Sequence, residues 1–187
     1  MALRSGAVAI FGVTLVLLAS QQAVAAVNLA TLFSKAKASE TQSVCYAREY
    51  SESHLEAKPL QRVKKMSLKL NRIVNDEQVY YAAEVDLKLK TVVTDADGET
   101  YIVYKSHSNA FSCLQDGQCY IDCDGGRAKV ATLSRDRDSL TFVNEGFVVH
   151  GGCGGSGVES ERVFLDAVKS GDDVFKLYRL RSEACSY

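Results

Sequence analysis

An all-β, mainly antiparallel domain of about eight strands is the fold class this sequence predicts, and three observations predict it. Long stretches alternate apolar and polar residues with a period of two, turn residues recur roughly every 8 to 12 positions, and a single proline accompanies no long helical pattern. Short turns make sequence neighbours into spatial neighbours, so the expected closure is a rolled sheet or an up-and-down barrel, which leaves no exposed edge. A short N-terminal helix and a set of disulfide staples complete the expectation.

The chain opens with Arg4, an apolar run from Ala7 to Ala19, and small residues up to Ala25. A short charged start, an apolar run below the roughly 20 residues that span a bilayer, and an A-x-A-like site make residues 1–25 a secretory signal peptide. No cysteine precedes Cys45, so no lipid-anchor site lies at the cleavage point, and no later apolar stretch suits a membrane anchor. The expected location is periplasmic or extracellular. Residues 26–43 read as a short helix and linker and 44–187 as a single β-rich domain, and the 162 residues left after cleavage are enough to bury roughly 70% of their unfolded surface.

Six cysteines in an exported chain read as three disulfides. Cys45 and Cys185 lie near the two ends of the folded core and are expected to pair. Cys113 and Cys119 flank Leu114 to Gln118 and suit a hairpin mouth, which leaves Cys123 for Cys153. The formal net charge of −1, with signs interspersed, lacks the basic excess of a nucleic-acid or anionic-membrane surface. Arg62-Val-Lys64-Lys65, Arg135-Asp-Arg137-Asp138 and Glu159-Ser-Glu161-Arg162 read as solvated strand faces and turns.

Asn28 is a good N-cap for an amphipathic helix with Leu29, Leu32, Phe33 and Ala36 on one face. Ser51 to Pro59 reads as one or two helical turns, with Ser53 and Glu56 spaced as a capping box and Pro59 as the stop. Met66, Leu68 and Leu70 then alternate with polar residues, and a longer alternation runs from Val79 to Thr94. At about 3.3 Å per residue the second strand spans roughly 50 Å, so it must bend or carry a bulge. Asp95 to Gly98 turns into Tyr101–Tyr104, and Ser106 to Asn109 reads as a kink before Ala110–Cys113. Asp116-Gly turns into Cys119–Cys123, and Asp124-Gly-Gly126 into Arg127–Leu133. Strands at Leu140–Val143 and Phe147–His150 are separated by an Asn144-Glu-Gly146 turn. Glu161–Leu165 and Val174–Leu180 are the last.

The chemistry-bearing patterns mostly argue against themselves. Gly152-x-Gly154-x-x-Gly157 matches a dinucleotide fingerprint, but a strand follows it instead of the helix that would hold a pyrophosphate, so no cofactor is expected. The cysteine spacing lacks the close pairs of zinc sites, His54, His107 and His150 are scattered, and Asp122 and Asp124 complete no calcium loop, so no metal is expected. Cys153 with His150, or His107 with Cys113 across a bend, are the only thiol–imidazole pairings available to a cysteine nucleophile, and neither spacing suits one. No catalytic residue is assigned. His54 reads as a solvated side chain. Tyr80, Tyr81, Tyr101 and Tyr104 crowd two adjacent strands and offer flat area with a polar tip, suited to recognition or to ordinary sheet packing. The expected function is an exported binding module for a small ligand or an envelope protein. The alternatives are a loop-presenting inhibitor or interaction protein, using Asp95 to Glu99 or Gly151 to Gly157, and an unrecognised hydrolase acting through His107 or His150.

Overall fold

Alternation from Val79 to Thr94 folds as one uninterrupted strand, and the sheet is built outward from it. The computed structural model of the chain describes residues 27–76, 78–150 and 162–181, with the backbone alone at 150. The strands are β1 (Gln42–Glu49), β2 (Val63–Asn75), β3 (Gln78–Thr94), β4 (Thr100–Cys113), β5 (Gln118–Tyr120), β6 (Gly126–Leu133), β7 (Ser139–His150), β8 (Val163–Leu165) and β9 (Val174–Arg179). One short helix, α1 (Glu52–Ala57), joins β1 to β2. Each strand from β1 to β7 pairs antiparallel with the next, and β9 pairs with both β7 and β1. Eight strands thereby close a barrel, and β8 adds to the far half of β7. The two ends of the barrel sequence meet where Leu180 N–H donates to the Cys45 carbonyl at 2.8 Å.

Inward positions of the period-two pattern fill the interior. Met66, Leu68, Leu70, Val85, Leu89, Val130, Leu140, Phe142, Phe147 and Leu177 belong to one buried cluster that occupies the centre of the barrel. One mouth is plugged by Val27, Leu29, Leu32 and Phe33, with Leu29 N–H donating to Gln115 O at 2.8 Å and Phe33 lying 6.1 Å from the Tyr81 ring. The long strands are accommodated by bulges, at Val63–Lys65 in β2, at Val130–Thr132 in β6 and at Asn144–Phe147 in β7 opposite Gly126–Ala128, while β3 and β4 pair without a shift. Gly126 sits at φ 88°, and a Cβ there would lie 2.0 Å from the Gly146 carbonyl oxygen, so β6 requires glycine where it faces the β7 bulge.

Several expectations need correction. The amphipathic helix after Asn28 is a five-residue 3-10 turn, Leu29–Phe33, whose cap is the Asn28 side chain accepting from Ala30 N–H at 2.9 Å. Ser51, not Ser53, caps α1, accepting from His54 N–H at 3.2 Å. Ser106 to Asn109 makes no kink: β4 is continuous, because an unbroken ladder to β3 satisfies the backbone whatever the polarity of the side chains. Asn144 to Gly146 is not a turn but a kinked stretch within β7. Buried Asn144 donates to the carbonyls of Leu165 at 3.2 Å and Asp172 at 2.9 Å, and Gly146 takes φ 98°. β1 escapes a pattern reading because Cys45, Tyr46 and Ala47 are buried consecutively, on both faces.

Cys113 and Cys119 are directly opposite one another across β4 and β5 and form a disulfide, S–S 2.06 Å. Cys45 and Cys123 are also disulfide-bonded; the expected partners, Cys185 and Cys153, lie outside the described residues. Closing so short a loop constrains the unfolded chain modestly, so replacing Cys113 and Cys119 together by alanine is expected to lower stability by about 2 kcal/mol, read from urea unfolding.

Candidate functional site

Past Leu89 the β3–β4 hairpin leaves the barrel. The β2–β3 ladder ends at Val63 and Leu89, with Lys90 N–H reaching the Arg62 carbonyl at 2.8 Å, whereas β3 and β4 stay paired as far as Thr94 and Thr100. The outer arm is therefore a two-stranded ribbon. Its tip is held by a local network: Asp95 N–H donates to Glu99 O at 3.0 Å, and the Asp95 carboxylate accepts from the N–H groups of Asp97 and Glu99 at 3.1 and 2.9 Å.

The ribbon carries apolar side chains into solvent. Val92 is 63% exposed, Ile102 54%, Tyr101 47% and Tyr104 38%. Val92 and Ile102 are cross-strand partners on the outer face, and Val93 and Tyr101 are partners on the other. One long edge is also open. On the side away from β3, β4 pairs with β5 only at Ser112 and Cys113, and among the described residues no strand pairs with Thr100 to Lys105 there. The hydrogen-bond phase follows from two contacts of β3. Asp95 bonds across to Glu99, so odd-numbered β3 residues face β4, and Lys90 bonds to Arg62, so even-numbered ones face β2. Tyr101 and Val103 are accordingly bonded to β3, and Ile102 and Tyr104 present N–H and C=O outward. Natural edges are usually blunted by lysine, proline or a bulge, and Tyr101-Ile-Val-Tyr104 has none of these.

The base of the ribbon is buttressed by α1. Tyr104 O–H donates to Glu52 Oε2 at 3.4 Å, and Lys64 donates to the other Glu52 oxygen while its Nζ lies 5.9 Å from the Tyr104 ring centre. The hydrogen bond from Lys64 is the chief cause holding the Glu52 carboxyl below its usual range and the Lys64 ammonium above its own. Beside it, Lys65, Ser67, Asp86, Lys88, Ser106 and Ser108 line a groove of about 450 Å³.

Of the residues singled out in the sequence, His107 lines this groove, Tyr101, Tyr104 and Asp95 to Glu99 belong to the ribbon, and His54 sits in α1. His54 Nε2 lies 3.0 Å from Gln61 Oε1 and its ring packs 4.8 Å from Tyr50, so this histidine is part of the packing and not a solvated side chain. His107 pairs with Leu87 while Cys113 pairs with Tyr81, six residues along a straight strand, about 20 Å away. The two therefore do not meet, and Cys113 is in any case bridged to Cys119. The four tyrosines form no single cluster: Tyr80 and Tyr81 begin β3 near the plugged mouth, whereas Tyr101 and Tyr104 lie on the projecting ribbon. Asp95 to Glu99 is the ribbon's tip. His150's side chain, Cys153 and Gly151 to Gly157 lie outside the described residues.

No protein-family model, curated protein or solved structure matches this chain. Among the described residues no group of three or more His, Cys, Asp or Glu is placed to hold a metal ion, and no helix is long and apolar enough to cross a membrane. The open edge itself is beyond the reach of pattern reading. Tyr101–Tyr104 signals a strand, but its exposure depends on where β2 stops and how short β5 is.

Proposed function

We propose that this protein is an exported binding module whose partner is a polypeptide, captured by adding one of its extended segments to the open edge of β4. The observation that carries this reading is the uncharged, exposed edge at Tyr101–Tyr104. Backbone groups on such an edge template strand addition, and alternating side chains on either face supply selectivity. The packed barrel interior favours recognition on the outside over a small ligand in the lumen. Export is supported by the signal-like residues 1–25 and by the disulfide chemistry of Cys113 and Cys119. Lys88, Lys90 and Lys105 at the base of the ribbon suit an acidic flank on the incoming segment, whose alternate residues should be apolar to cover Val92, Ile102 and Tyr104.

Selection of a displayed peptide library on the wild-type protein and on Ile102→Pro tests the reading. Proline removes an outward N–H that the hairpin itself does not use, so the barrel should stay folded while strand addition is blocked. The expected result is a set of alternating apolar sequences that bind wild type, bind Ile102→Pro at least tenfold more weakly, and retain most affinity for Ile102→Thr, which keeps the N–H. Equal binding to wild type and Ile102→Pro would overturn the proposal. A concentration-dependent dimer abolished by Ile102→Pro would replace the foreign partner with a second copy of this chain.

A further inference from the structure

The mouth opposite the ribbon gathers a different chemistry. The start of β1, the end of β9, the β6–β7 turn and the N-terminal segment all converge there, because β1 and β7 run in the same sense and β9 runs against them. Between them lies an open cleft of about 870 Å³, and four of its lining residues, Lys35, Arg135, Arg137 and Arg179, are cations. Among the described residues Asp136 is the one acid that lines it. In a chain with 22 basic and 23 acidic residues this is a local excess that composition does not foreshadow. These side chains come from three separate parts of the chain, and the sequence shows only the Arg135-Asp-Arg137-Asp138 turn.

Among the described residues no ion pair consumes these cations. The pairs Lys64–Glu52, Lys69–Glu84 and Arg127–Glu145 all lie outside the cleft. Asp136 is engaged within its own turn, where its carboxylate accepts from Asp138 N–H at 3.2 Å. Hydrogen bonds from Ser134 and then from the backbone hold that carboxyl below its usual range, so it is ionised and satisfied locally. Arg137 is pre-positioned: its backbone sits at φ 65°, its carbonyl accepts from the Tyr46 hydroxyl at 2.9 Å, and its Nη1 donates to Ser34 Oγ at 2.9 Å. That bond uses one N–H of a guanidinium that carries several more. Thr41, whose hydroxyl oxygen accepts from Val74 N–H at 3.2 Å, keeps its own O–H to donate along the β1 side. Planar guanidinium forks and an ammonium lining one cleft suit tetrahedral oxyanions, whose oxygens accept two N–H bonds at a time.

We infer that this cleft binds a phosphate-class oxyanion, either a free pyrophosphate-like ion or the headgroup of an anionic phospholipid, held chiefly by Arg135, Arg137 and Arg179 with Lys35. Binding would bridge the N-terminal segment to the β6–β7 turn and to β9, extending the tie that Arg137 and Ser34 already make.

Titration of the whole protein with sodium pyrophosphate, followed calorimetrically, and sedimentation with phosphatidylglycerol or phosphatidylcholine vesicles test the inference. Arg135 and Arg179 are exposed, so Arg135→Gln/Arg179→Gln should fold as wild type, checked by its melting transition. Lys58→Gln/Lys169→Gln removes the same charge at exposed positions outside the cleft. The expected result is saturable binding that weakens at least tenfold in the arginine variant and changes less than twofold in the lysine variant. Binding of pyrophosphate without vesicles assigns a free ion, and binding of phosphatidylglycerol vesicles alone assigns the headgroup. Absence of both, or equal losses in the two variants, would overturn the site.

Discussion

Replacing Phe111 by alanine is expected to lower the unfolding free energy by about 3–5 kcal/mol, among the largest effects a single substitution in this barrel can have. Phe111 on β4 packs edge-on against Phe147, 5.1 Å between ring centres at 73°, and against Phe142, 6.1 Å at 79°. Phe142 and Phe147 lie 6.4 Å apart at 79°, and all three rings are essentially buried. The position matters because it is the seam of the barrel. Between β4 and β7 the backbone is bridged by three-residue β5 and by β6, and lower down Asn109 donates to the Val148 carbonyl at 2.7 Å. The ring trio supplies the apolar contact that the short strand cannot. Phe111→Leu keeps most of the volume and is expected to cost less than about 1.5 kcal/mol. Urea unfolding of the two variants makes the comparison, and a cost for Phe111→Ala no greater than that for Phe111→Leu would mean that the seam is held by something else.

Asp172→Ala is expected to cost about 2–4 kcal/mol, although it removes a single surface-type residue from a loop. Asp172 is 1% exposed, and its two carboxylate oxygens accept from Arg62 N–H at 2.9 Å and Val63 N–H at 3.2 Å. Alanine would leave both donors without their acceptors at the start of β2, where Val63 is fully buried. The same knot includes Asn144, which holds the Asp172 carbonyl, so the loop between β8 and β9 is tied to β2 and β7 together. Desolvation is the dominant influence on the Asp172 carboxyl and raises its pKa above the ordinary 3.8, against the opposing backbone hydrogen bonds. The sign follows: the folded state binds the proton more tightly than the unfolded chain, so the stability associated with this group is fullest below about pH 3.8 and falls as pH rises through the raised value. The gap between wild type and Asp172→Ala should therefore narrow over that window. A gap that widens with pH would contradict a desolvation-dominated site.

Both residues show where sequence reading stops. The central part of β3 is legible because its two faces differ: Ala83, Val85, Leu87 and Leu89 are buried while Glu84, Asp86 and Lys88 are exposed. The Cys113–Cys119 bridge is legible because five intervening residues with an Asp-Gly turn make a hairpin mouth. Closure is legible from the succession of short turns. β1 is not, since burial on both of its faces erases alternation. Asn144 reads as a turn because Asn and Gly usually mark turns, whereas here the amide satisfies two carbonyls inside the barrel wall. The two candidate sites are invisible for a different reason. The open edge is a property of neighbouring strands that end early, and the cationic cleft joins positions 35, 135, 137 and 179, which no local window contains.

Strand addition at β4 is tested most directly by amide hydrogen exchange of Ile102 and Tyr104 in the free protein and with a peptide selected on it. Their outward N–H groups should exchange rapidly alone, become protected by at least tenfold in the complex, and show new backbone contacts to the peptide, while Tyr101 and Val103 change little. Protection confined to the barrel wall or to the plugged mouth, with Ile102 and Tyr104 still exchanging freely, would contradict the proposal.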